Sequence, residues 1–112
     1  MSKFDEAIET YKGELSKLGI SIDEVLLTKV AKGLGPSIYN ADSSKVSSSD
    51  PEEIARVRNN FLIGKLGLAD GPELDTAIQN VVDQLGSSNR NKYRAIFYAL
   101  LTINLGQESF YA

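Results

Sequence analysis

The chain has 112 residues, 42% of them hydrophobic, with a net charge of −3, which suits one domain able to bury a single core without staples. Cysteine and histidine are absent, which excludes disulfides, thiolate nucleophiles, the commonest general base near neutral pH and the commonest transition-metal ligand. The start, MSKFDEAIETYKGE, is acidic and no apolar run reaches about 18 residues, so no signal peptide, bilayer span or membrane partner is expected, and a cytoplasmic location is.

Five helices follow from apolar periodicity and stop signals, with no competing strand alternation. The first runs from Lys3 to Leu18 and carries Phe4, Ala7, Ile8, Tyr11, Leu15 and Leu18 on a narrow stripe, the pattern of a peripheral helix. Gly19 ends it. Ser21 with Glu24 makes a capping-box pattern that opens a second helix, with Ile22, Val25, Leu26, Val30 and Leu34 facing inward before Gly35-Pro36. Residues 36–49 form a long serine-rich loop, which Ile38, Tyr39 and Val46 are expected to pin to the core. The third helix has Asp50 as cap, Pro51 at its first position and Glu52 and Glu53 in its first turn. Ile54, Val57, Phe61, Leu62 and Leu66 then face inward until Gly67. A fourth helix opens at Pro72 and sets Leu74, Ala77, Ile78, Val81, Val82 and Leu85 on one side before Gly86.

The fifth helix is expected from Asn89 to Leu105. Tyr93, Ile96, Phe97, Leu100, Leu101, Ile103 and Leu105 cover more than half its circumference, and Ala95, Ala99 and Thr102 fill most of the rest. It has almost no solvated face, so the expected fold is an all-α, five-helix, single-domain bundle over residues 1–112 with the C-terminal helix at its centre.

Chemistry leaves few candidates. An EF-hand frame laid from Asn40 places Lys45 at the glycine position and Pro51 at the bidentate glutamate, so no metal and no cofactor is expected. Lys45 beside Ser44 and Ser47 offers a Ser-Lys hydrolase only as a third reading, because neighbours on a loop are rarely aligned. Tyr93, Tyr98 and Tyr111 near arginines suggest a stacking platform for nucleic acid, but the sequence pI of about 4.9 argues against such a partner.

The arginines say more. Residues 1–53 hold ten acids and six lysines, whereas residues 54–112 hold five acids and six bases, including all four arginines. Arg90 and Arg94 on the fifth helix and Arg58 on the third lie at the edge of apolar faces, where an unpaired charge is costly. The first reading is pairing within the chain, with Asp42, Asp50, Glu52 or Glu53 lying across the arginine side of the fifth helix. The second is a phosphate or carboxylate ligand held by Arg58, Arg90 and Arg94.

Two segments carry a resemblance. DPEEIARVRNNFLIGKLGL, residues 50–68, and NRNKYRAIFYALLTINLG, residues 89–106, resemble a family of small bacterial proteins known only as a domain of unknown function. The matching positions include Asp42, Ser43, Ser44, Asp50, Arg56, Arg58, Asn91, Lys92, Arg94, Phe97 and Tyr98. The resemblance implies an all-helical bacterial protein and supplies no activity, cofactor or site. The expected function is therefore an interaction or structural module, acting through an unknown protein partner or by self-association. An anionic small ligand is the alternative.

Overall fold

The computed structural model describes residues 2–111. Helix α1 (Lys3–Leu18) begins where the Ser2 hydroxyl accepts the Asp5 N–H at 3.1 Å. It ends at Gly19, whose φ of +70° is the left-handed turn that glycine adopts without a Cβ clash. Helix α2 (Glu24–Leu34) is capped by Asp23, whose Oδ1 accepts the Val25 N–H at 3.1 Å. The expected capping box at Ser21 is thus displaced by two residues. The buried stripe of the helix is Leu26, Leu27, Val30 and Ala31, and at 100° per residue Val25 falls on the opposite face, exposed.

A single 3₁₀ turn, Gly35–Tyr39, opens the serine-rich loop. Ile38 and Val46 are buried as expected, whereas Tyr39 points to solvent. Helix α3 (Pro51–Arg56) starts at Asp50, whose carboxylate accepts the Glu52 N–H at 3.0 Å. It then widens into a π-helix over Val57–Lys65, with the Leu66 N–H bonded five residues back to the Phe61 carbonyl at 2.9 Å. In this wider winding, residues four and five apart align, and Val57, Phe61, Leu62 and Leu66 have those spacings. All four are buried. An α-helical winding would have spread them over about half the circumference.

Helix α4 (Pro72–Leu85) buries Leu74, Ala77, Ile78, Val81, Val82 and Leu85, the side read from the sequence. Helix α5 (Arg94–Asn104) is central: every residue from Ala95 to Thr102 is buried, with α2 and α4 packed against it. Its buried Thr102 hydroxyl donates to the Tyr98 carbonyl at 2.8 Å, and no buried side-chain polar atom among the described residues lacks a partner. The helix starts five residues later than expected, because Tyr93 is held in an isolated antiparallel bridge with Lys45. A last 3₁₀ turn, Glu108–Tyr111, folds back beside α2. Among the described residues there is no strand, and no helix is long and apolar enough to cross a membrane.

Ala99 is fully buried on α5. Ala99→Leu is expected to cost ~1 to 3 kcal/mol by overpacking, read as a lowered melting temperature. An unchanged melting temperature would contradict the central position of α5.

Candidate functional site

Arg94 opens α5 at the point where the serine-rich loop crosses it. Two backbone bonds set the crossing: the Val46 N–H donates to the Lys92 carbonyl at 2.8 Å, and the Arg94 N–H to the Ser44 carbonyl at 2.7 Å. The guanidinium completes it. Nε donates to the Ser43 carbonyl at 2.7 Å, Nη1 to the Tyr98 hydroxyl at 2.9 Å, and Nη2 to the Lys45 carbonyl at 3.3 Å and to the Glu53 carboxylate. Both charged side chains are withdrawn from water, Arg94 to 14% exposure and Glu53 to 9%. Arg56 reaches the other Glu53 oxygen at 2.9 Å from an exposed position. Burial pushes the Tyr98 phenol up, which keeps the hydroxyl neutral, while its ring stacks on Phe61 of the π-helix at 4.0 Å.

The other sequence candidates lie elsewhere. Arg58 pairs with Asp75 at 2.9 Å and with Asp70, and donates to the Gly71 carbonyl at 3.2 Å; it shares no partner with Arg94. Arg90 is off the helix, exposed, and makes no ion pair among the described residues. The three arginines therefore do not share one site. Asp50 is occupied as the α3 cap, and the exposed Asp42 makes no ion pair among the described residues, although both border a cleft of about 400 Å³ with Arg94, Glu53 and Arg56. Lys45 donates to Asn91 Oδ1 at 3.0 Å and lies 5.3 Å from the Tyr93 ring, so its ammonium is engaged away from Ser44, whose hydroxyl faces the Ala41 carbonyl.

The family model described as "Protein of unknown function (DUF2853)" matches residues 10–109. The chain belongs to that family. The matched span contains the whole Arg94 crossing and the cleft beside it, and the family's description assigns it no activity. No curated protein matches the chain.

Sequence reasoning undervalued Glu53, which reads as a carboxylate complementing a helix start. It also missed the Ser43 and Lys45 carbonyls, because backbone acceptors leave no mark in residue identity. Lys92 is among the positions that match the family resemblance but not among the sequence candidates for the site. It is buried, and its ammonium donates to the carbonyls of Ser87, at 3.2 Å, and Asn89.

Removing Arg94 takes the donors away from two loop carbonyls and leaves Glu53 with an exposed partner alone. Arg94→Met is expected to destabilise by about 3 kcal/mol. Arg56→Ala, which removes only the exposed partner, should cost less than about 1 kcal/mol. Denaturant melts compare them, and equal losses would contradict the assignment of the buried pair as the dominant one.

Proposed function

We propose that the chain is a single-domain, non-catalytic interaction module that works by associating with a second copy of itself in the cytoplasm. One observation carries the reading: apolar side chains that the bundle leaves uncovered gather where α2 begins and α5 ends. Val25 is 59% exposed, Phe110 46% and Ile103 36%. Val25, Leu26, Ile103 and Tyr111 line a cleft of about 410 Å³, and the Phe110 ring abuts Tyr111 edge-on at 5.0 Å. A contiguous apolar surface of this kind marks a contact site more often than scattered exposed residues do.

The rim supports a copy of the same chain as occupant. It carries Asp23, Glu24 and Glu108 with Lys29 and Lys32, so both signs flank the same patch. A patch bordered by both signs can meet itself about a twofold axis with acids facing lysines, whereas a rim of one sign would repel its copy. The small apolar area points to a weak dimer at the low end of interface size.

Sedimentation velocity over a concentration series tests this. The wild type is expected to shift from monomer to dimer on the order of 10 to 100 μM, an association of about −6 kcal/mol. Val25→Glu should stay monomeric with an unchanged melting temperature, because Val25 contributes nothing to the core. A wild type that remains monomeric throughout would overturn self-association and leave the patch to a different partner.

A further inference from the structure

A second cleft, of about 590 Å³, lies between the serine-rich loop and the connection from α4 to α5, and shares no lining residue with the Val25 surface. Its volume is in the range of small-molecule sites. Three basic side chains line it, Lys45, Arg90 and Lys92, against one acid, Asp42. Lys92 is 3% exposed and has no carboxylate partner among the described residues. Its two backbone acceptors, Ser87 and Asn89, hold the loop that forms one wall, but they carry no charge to neutralise the ammonium. Burial accordingly pushes the Lys92 ammonium below the ordinary lysine value, a cost that an anion in the cleft would relieve. Arg90 stands exposed at the same cleft without an ion-pair partner among the described residues.

The rest of the lining narrows the ligand. Ser47, Ser48 and Ser49 come from one wall and Ser87 and Ser88 from the other, and no aromatic side chain is among them. Hydroxyls on both walls donate and accept, matching a ligand rich in hydroxyl groups. The lack of a ring disfavours a base, which binds largely by stacking.

We propose that this cleft binds a phosphorylated polyol, with the phosphate monoester against Arg90, Lys45 and Lys92 and the ligand hydroxyls on the serines. The site differs from an arginine-only ligand site, because Arg58 and Arg94 are spent on internal partners. Rigidity comes from the fold: the same crossing that engages Arg94 fixes Lys45 and Ser47 opposite Lys92.

Amide NMR titrations of the full chain with glucose 6-phosphate, inorganic phosphate and glucose test the proposal. Glucose 6-phosphate should give saturable shifts at Ser47–Ser49 and Ser87–Asn89 at millimolar concentration or below, inorganic phosphate weaker ones, and glucose none. Arg90→Ala, which removes a side chain the fold does not use, should weaken glucose 6-phosphate binding about tenfold, and adding Lys45→Ala should weaken it further. No saturation by about 10 mM, or unaltered binding by the double variant, would overturn the site. Inorganic phosphate binding as tightly as glucose 6-phosphate would overturn its assignment to a polyol.

Discussion

A guanidinium placed at the start of a helix buried from Ala95 to Thr102 must find acceptors, and Arg94 collects them from four places: the Ser43 and Lys45 carbonyls, the Glu53 carboxylate and the Tyr98 hydroxyl. Its own helix supplies only the last. The loop supplies two and the first turn of α3 supplies the carboxylate, so one side chain joins segments 41 to 51 residues away in sequence. Taking two charges out of water is costly, and their attraction offsets that only when the remaining donors and oxygens are also satisfied. Here they are: Arg56 takes the second Glu53 oxygen, and no buried side-chain polar atom among those described lacks a partner.

The long loop owes its shape to this crossing. Polar and rich in serine, residues 40–49 have little apolar surface beyond Val46 with which to hold themselves down. The two backbone bonds of the Lys45–Tyr93 bridge and the guanidinium do that work, and they place Lys45 and the serines beside Lys92. The widened third helix serves the same region, since its π winding brings Phe61 under the Tyr98 ring whose hydroxyl meets Arg94. The polar cleft therefore depends on the buried ion pair, whereas the Val25 surface depends on which face of α2 the bundle covers.

Much of the architecture was legible because its determinants are local. Gly19, Asp50-Pro51, Pro72 and Gly86 end or open helices through their own backbone preferences, and the run of apolar and small residues from Ala95 to Thr102 announces a buried helix. What escaped is non-local or carried by the backbone. Asn89 to Tyr93 continue the helical pattern, yet they lie outside the helix, with Tyr93 bridged to Lys45. Asp23 rather than Ser21 caps α2, and Val25 lies on the face opposite Leu26, Leu27, Val30 and Ala31, so it is surface where core was expected. The four-and-five spacing of Val57, Phe61, Leu62 and Leu66 was visible but reads as a broad α-helical face unless a π winding is considered. Acids near the arginines were visible too. Which of Asp42, Asp50, Glu52 and Glu53 reaches Arg94 depends on where the loop crosses, and residue types alone do not encode that. Arg58 finds Asp70 and Asp75 at the next helix start for the same reason.

If the buried pair holds the loop on α5, weakening it should release that crossing before the rest of the bundle opens. Native-state hydrogen exchange in the wild type and in Glu53→Gln measures this at the Val46 and Arg94 amides, which bond to Lys92 and Ser44 across the crossing. Protection at both amides is expected to fall sharply in Glu53→Gln while the Val81 amide in α4 stays close to its wild-type protection. Unchanged protection at Val46 and Arg94, or an equal fall at all three, would show that the loop is held by something other than the Glu53–Arg94 pair.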